Sequence, residues 1–312
     1  MTKKAQYRQF CEEEKKIPIF SQPWHLDAVC HDGEWDVVLM EKGGQIVASM
    51  PYFIKQKGPY KHIAMPWLTK MLGPYIVEKF KGGKKEQSII KHLIEQLPTV
   101  AHFNQNLHYD IKDWLPFYWK GYQQTTFYSY SISGLSDLDT VYKNFDSDYR
   151  NNKIKKAQEL ITVSHDGDIN DFYRIMKMSF DRQDVKLTIP ADFLQHYDQV
   201  LAKQQSSKLF FARDAEGRIH SAVYLIWDKQ RAYYHIAGDD PDLRNSGAGI
   251  LIVWEVIQYT SKVLGLDIFD FEGSMIPGVT KVRRNFGAKQ EAFFNIERYD
   301  SVLFRVARLL KR

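Results

Sequence analysis

Apolar positions recur with two different periods along this chain, and the order in which those periods alternate outlines a fold. Residues 35–40 and 45–53 carry strand-like patterns on either side of Gly43-Gly44, which predicts a hairpin closed by a tight turn. Residues 63–77 break the pattern with Pro, Trp, Met and Gly. They predict an irregular segment around aromatic anchors, Trp67 and Tyr75 among them, serving as half of a groove or as a cap on the core. Helical spacing takes over at residues 86–97, where Ile89, Ile90, Leu93, Ile94 and Leu97 share one face and Pro98 stops the run. Strand patterns return at residues 100–107 and 125–132.

The second half repeats the alternation in a more telling order. A basic helix is predicted at residues 148–160, then a short strand at 161–164. An amphipathic helix at 168–181 is built on Ile169, Phe172, Ile175, Met176 and Phe180, and another at 190–201 has Pro190 near its start. Three strands follow as an antiparallel meander at 209–213, 219–227 and 231–237. A glycine-bearing turn, Arg244-Asn245-Ser246-Gly247-Ala248-Gly249, leads into an apolar helix at 250–263. A short strand at 267–271, a last strand at 292–297 and a basic amphipathic tail at 302–312 close the chain.

Composition narrows the class. A chain of 312 residues, 44% hydrophobic and 26% charged, suits a globular α/β (α+β) protein of two domains, with a break near residue 130 giving 1–130 and 131–312. The net charge of +5 is too mild to imply nucleic acid but suits an anionic substrate or surface. Cys11 and Cys30 alone make neither a disulfide framework nor a cysteine metal site, and the scattered histidines give no metal pattern. No apolar signal core opens the chain, and no run approaches the roughly 18 apolar residues of a membrane span. The expected location is the cytoplasm. The tail, with Arg305, Arg308 and Lys311 at helical spacing, allows contact with the inner face of a membrane or packing on its own domain.

Polar groups concentrate between residues 244 and 287. Glycines before a helix let backbone N–H groups face an anion, so Arg244, Ser246, Gly247 and Gly249 form a candidate phosphate, pyrophosphate or carboxylate site; the alternative is a tight turn where glycine only relieves strain. Asp270 and Glu272, two apart at a strand end, would share a face and place a general base opposite the core-facing Phe269 and Phe271. The alternative is that one of them caps a turn or pairs with Arg283 or Arg284. Arg283 is the candidate contact to a phosphate or developing oxyanion. Arg150 and Lys153, one helical turn apart, are candidate grips on an anionic acceptor, with Trp67 and Tyr75 on an opposite wall. His235, beside Tyr233 and Tyr234, is a second candidate base or a structural histidine.

The element order resembles the acetyltransferase-like fold of the GNAT superfamily, and Arg244 to Gly249 fits its Arg/Gln-x-x-Gly-x-Gly/Ala turn, which receives the pyrophosphate of coenzyme A. Three segments resemble the FemAB/FemX-like proteins and the related BioF2-like acetyltransferase domain. They are the basic helix from Tyr149 to Ala157, the turn and helix from Ser246 to Lys262, and Phe269-Asp270-Phe271-Glu272-Gly273 through Phe286-Gly287. The resemblance implies tandem GNAT-like domains, the first degenerate, each a mixed, mostly antiparallel sheet flanked by helices. Characterised members move an aminoacyl group from tRNA to an amine on a peptidoglycan precursor; other relatives use acetyl-CoA. The family's Phe-Lys before the Phe-Gly turn stands here as Val282-Arg283, and the tRNA-binding coiled-coil insertion of some members has no counterpart.

The expected function is therefore a FemAB-like N-acyltransferase acting at the cell envelope. It would move an acyl or aminoacyl group onto an amine of an anionic substrate, with a peptidoglycan precursor as one acceptor. The donor would be aminoacyl-tRNA or acetyl-CoA (or another acyl-CoA), with no tightly bound cofactor. The two alternatives are an acetyl-CoA-dependent N-acetyltransferase on a small amine, and a non-catalytic relative that binds a precursor or a protein.

Overall fold

The computed structural model describes residues 1–309, with side chains through residue 306. Two compact units divide the chain: Met1–Phe127 together with the chain from Ala292 onward, and Tyr128–Glu291.

The first unit begins with α1 (Lys3–Glu13), capped by the Thr2 hydroxyl accepting from Ala5 N–H, and α2 (Pro23–Val29). The predicted hairpin forms as β1 (Glu34–Lys42) and β2 (Gln45–Lys57), with Gly43 and Gly44 both at positive φ in the turn. Then come β3 (Tyr60–Ala64), the two-residue β4 (Tyr75–Ile76), α3 (Gly83–Glu95), β5 (His102–Asn106) and α4 (Leu115–Trp119). The α3 face buries Ile89, Ile90, Leu93 and Ile94 among Val38, Met50, Ile63 and Phe103. Each such side chain contributes about 1.5–3 kcal/mol by leaving water.

In the second unit β6 (Gln123–Ser133), which starts in the first, is followed by α5 (Leu138–Lys143). The predicted basic helix is two pieces, a π-helical turn at Tyr149–Lys153 and α6 (Ile154–Leu160). After β7 (Thr162–Ser164) come α7 (Ile169–Arg182), whose N–H groups at Asn170 and Asp171 are capped by Asp168, and α8 (Ala191–Lys203) behind Pro190. The meander is β8 (Ser207–Arg213), β9 (Ile219–Trp227) and β10 (Ala232–Asp239). The apolar helix is α9 (Ala248–Lys262), followed by β11 (Ile268–Asp270) and α10 (Pro277–Asn285). Finally β12 (Lys289–Tyr299) and α11 (Val302–Leu309) return to the first unit.

Strand order is β1-β2-β3-β5-β12-β6-β11-β10-β9-β8-β7, with β4 added on β2. The resemblance implied one sheet per domain. Instead a single twelve-stranded sheet forms, because β6 and β12 each contribute residues to both units. Pairing is mostly antiparallel, with β3–β5 and β10–β11 parallel. In the second unit α9 buries Leu251, Ile252, Val253, Val256 and Ile257 in a core with Phe210, Val223, Leu225 and Phe269. In the tail, Phe304 is buried against Tyr60, His62 and His102, and Arg305 lies over Tyr299. Residues 310–312, including Lys311 of the expected basic tail, lie outside the described residues, as does the side chain of Arg308.

Candidate active site

A split between two strands of the second unit opens a site. β10 and β11 pair in parallel only at Ala232↔Phe269 and Tyr233↔Asp270. β11 then ends, while β10 runs on to Asp239. The gap after the split holds a cavity of about 550 Å³. Its walls are Tyr234, Ala237, Gly238 and Asp239 of β10, Arg244 to Ile250 in part, Ser179 and Arg182 of α7, and Gly278, Val282 and Arg283 of α10. Ligands in parallel α/β arrangements bind at the carboxyl ends of diverging strands for this geometric reason. α7 is held against the rim because Gly238 has no side chain: a Cβ there would lie 2.7 Å from Met176 N. Ser179 Oγ accepts from Asp239 N–H at 2.6 Å.

The glycine turn borders this cavity, but its own groups satisfy much of it. Gly247 has φ 78°, and a Cβ on it would sit 3.2 Å from Lys153 O and 3.3 Å from Ala157 Cβ. This glycine is therefore required by backbone conformation and by the close approach of α6. Ala248 N–H donates to Ser246 Oγ at 3.3 Å, and Ile250 and Leu251 N–H both reach Gly247 O. A Cβ at Gly249 would lie 3.1 Å from Asp239 Oδ1, so a carboxylate already stands at the helix start. Ser246 Oγ is also bonded to His220 Nδ1 at 2.9 Å, and His220 Nε2 to Asp214 Oδ2 at 2.9 Å. That chain ties the turn to the β8–β9 connection. The His220 bond, with Arg218 adding to it, holds the Asp214 carboxyl well below the usual aspartate range. Three arginines, Arg182, Arg244 and Arg283, face the cavity against one carboxylate, Asp239. Arg244 Nε stands 4.0 Å from Asp239 Oδ2.

Asp270 and Glu272 do not share a strand face, because β11 stops at Asp270 and Glu272 has φ 56°, the left-handed region. Their environments differ accordingly. Asp270 is fully buried and accepts from Ser129 Oγ at 2.5 Å, Glu272 N–H at 2.8 Å and Arg231 Nη1 at 3.1 Å. It braces the turn from inside. Glu272 is 9% exposed, and its Oε1 is 2.7 Å from His235 Nδ1. The cation bonded to Asp270 is Arg231, which also meets Glu291 at 3.4 Å. Phe269 and Phe271 point into the core as expected and pack edge to face, 4.9 Å between centroids.

Arg283 lies over two rings, 4.5 Å from the centroid of Phe271 and 4.7 Å from that of Tyr234. Its Nε is buried and has no protein partner. Burial lowers its pKa from the ordinary arginine value, while Tyr234 and Glu272 work the other way. Burial also pushes the Tyr234 phenol up to about 12. Glu272 and His235 stand beside the cavity and do not line it; Glu272 is near enough to Arg283 to act on its charge. Arg150 and Lys153 fall on the π-helical turn and are engaged locally. Arg150 Nε donates to Phe145 O at 2.9 Å, and Lys153 Nζ meets Asp148 at 3.1 Å. Neither lines the cavity, although Tyr149 of the same turn does. Trp67 and Tyr75 belong to the first unit: Trp67 packs edge-on against His31, and Tyr75 is buried near Phe10. Among the described residues no cluster of His, Cys, Asp and Glu could hold a metal ion.

Comparison with known proteins bears on the fold. Residues 147–278 match the model of an acetyltransferase (GNAT) domain. Over 94% of this chain and 96% of the other, the structure superposes on FemX with a TM-score of 0.70 at 11% identity. The chain has a FemX-like fold. A tandem GNAT protein from the clavulanic acid biosynthesis pathway is similar over 95% of this chain and 94% of its own, with TM-score 0.58 and 8% identity. The L-PGS of Bacillus licheniformis is similar over 98% and 95%, with TM-score 0.59 and 11% identity. No curated protein matches the sequence. The split of β10 and β11, the glycine turn and the Asp270–Gly273 corner all lie in the second unit.

Sequence reasoning missed Arg182, Asp239 and Arg231. Arg182 was legible only as a charge in the last turn of an amphipathic helix. The Arg231–Asp270 pair joins positions 39 apart, a separation without any periodic signal.

Proposed function

We propose that the chain is a FemAB-like N-acyltransferase that moves an acyl or aminoacyl group onto an amine of an anionic substrate. The observation that carries this reading is the cavity at the β10–β11 split, where Arg182, Arg244 and Arg283 converge against one carboxylate. Acyl transfer needs an anion held, a developing oxyanion stabilised and an amine proton removed. Arg182 and Arg244, on the cavity wall, suit the phosphates of a donor such as acetyl-CoA or of a 3′-terminal aminoacyl nucleotide. The backbone of the glycine turn is less suited, because Ser246 Oγ already accepts the Ala248 N–H and the Asp239 carboxylate stands close to Gly249. When bound, the donor supplies an activated acyl carbon. Arg283, with its buried unpartnered Nε, would donate to the oxygen that gains charge there. Glu272, next to it, would take the amine proton as the C–N bond forms and return it to the thiolate or ribose oxygen that departs when the donor's acyl C–S or C–O bond breaks; Asp270 is too enclosed to do so.

The resemblance to FemAB/FemX-like proteins makes a peptidoglycan precursor the acceptor to try first. The donor and acceptor separate in one panel. Acetyl-CoA, aminoacyl-tRNA and a UDP-muramoyl pentapeptide are tested for a rise in Tm, then for turnover. We expect a phosphate-bearing donor to stabilise the protein, less so as salt increases and less in Arg244→Ala. Glu272→Gln should lower kcat about 100-fold while leaving donor binding intact. Unchanged transfer in both Glu272→Gln and Arg283→Ala would sink the assignment.

A further inference from the structure

We propose that His235, held by Tyr197, positions the Glu272 carboxylate so that one oxygen is committed and the other is left for the amine proton. This rests on the reading of Glu272 as the base. His235 stands at a β-bulge: in the β9–β10 ladder the register shifts between Tyr234 and Ile236, so His235 has no opposite residue. Bulges re-aim a side chain, and this one turns an imidazole toward the β11 end rather than along the ladder. The ring is almost wholly buried and is bonded at both nitrogens, Nδ1 to Glu272 Oε1 at 2.7 Å and Nε2 to Tyr197 Oη at 3.2 Å.

Only one arrangement of a neutral ring suits an ionised Glu272. A carboxylate accepts and cannot donate, so Nδ1 carries the proton facing Oε1. Nε2 is then an acceptor, and the Tyr197 hydroxyl donates to it. The reverse tautomer would set a lone pair against a carboxylate. Tyr197 is itself fully buried in α8, its ring 6.2 Å from that of Tyr224, so the chain ends on a fixed anchor. Glu272 Oε2 accepts from no described group. The left-handed Glu272 and the Gly273 beside it are locked in place, since a Cβ at Gly273 would lie 2.6 Å from Ser129 Cα. A residue held at positive φ, buried and aimed by a bulged histidine is the pattern of a pre-organised acid or base. His235 acts through Glu272, so it is a positioning residue.

The test reads the tautomer first, on the intact chain with no ligand. Histidine ring ¹⁵N labelling and long-range ¹H–¹⁵N spectra should show His235 protonated at Nδ1 near neutral pH, with the signals displaced in Glu272→Gln and Tyr197→Phe. A ring protonated at Nε2 alone, or one indifferent to both changes, overturns the proposal. Two near-isosteric variants then separate positioning from packing. His235→Asn keeps an amide donor near the Nδ1 position, whereas His235→Gln keeps only the contact toward Tyr197. With acetyl-CoA and the UDP-muramoyl pentapeptide as probes, kcat should fall about tenfold or more in His235→Gln with KM within about twofold, while His235→Asn stays within about threefold of the parent. Equal losses that follow Tm in both variants would make His235 structural only. The two readings fail separately: full activity in Glu272→Gln removes the base while the tautomer stands, and the wrong tautomer removes the positioning while a Glu272 effect stands.

Discussion

At the scale of residues, the two carboxylates of one short motif stand in different surroundings. Asp270 is surrounded by donors, and Glu272 is turned toward His235 by a left-handed backbone that costs about 1–3 kcal/mol in a non-glycine residue. The buried Asp270–Arg231 pair offsets that cost, since Asp270 also accepts the Glu272 N–H. Replacing Asp270 by Asn should therefore destabilise the protein by about 3 kcal/mol, measured by urea unfolding, because it removes the fully buried one of the two carboxylates that meet Arg231. Asp214 makes a pH prediction. Its folded pKa is depressed below the ordinary 3.8, chiefly by the His220 hydrogen bond. Its contribution is thus fully present above about pH 4 to 5 and is lost as pH falls through the lower folded value. The gap in Tm between the parent and Asp214→Asn should stay level from pH 7 to about 5 and then close in acid.

At the scale of elements, the turn before α9 shows how a motif with glycines is constrained from two directions. A Cβ on Gly247 would be directed at the π-helical turn and α6, so a side chain there meets Lys153 O at once. Gly247→Ala should lower stability by about 1–3 kcal/mol, with the loss seen in thermal unfolding without ligand. A fall in donor affinity in that variant would follow from displaced packing, which makes Arg244→Ala and Arg182→Ala the cleaner probes of anion binding. The bulge in β10 is the complementary case, since an irregularity in the ladder supplies the β10 side chain that reaches Glu272.

At the scale of the molecule, the first unit is made from both ends of the chain. β12 supplies Ile296, fully buried with Phe103 and Ile63, and pairs with β5 from Asn295↔Asn106 to Tyr299↔His102. A chain truncated after Glu291 should lose the cooperative unfolding of the first unit and expose its apolar core. Dye binding and limited proteolysis would show cleavage concentrated before residue 127. Survival of a protected first unit without β12 would contradict this account of its core.

The sequence alone determined the periodic elements, because period is a local property: the β1–β2 hairpin, α3, α7, α8, the meander and α9 all lie where the apolar spacing put them. It also singled out Arg244, Gly247, Gly249 and Arg283, which the fold brings to one cavity. Tertiary structure decided what those groups face. It ended β11 at Asp270 and so separated Asp270 from Glu272. It set Arg231 against Asp270 across 39 positions, brought His235 to Glu272 across 37, and left Trp67 and Tyr75 in the first unit. Hydrogen bonds of that range depend on how strands are ordered in the sheet and where a ladder bulges. Neither leaves a period in the sequence, because each is fixed by the packing of segments that are distant along the chain.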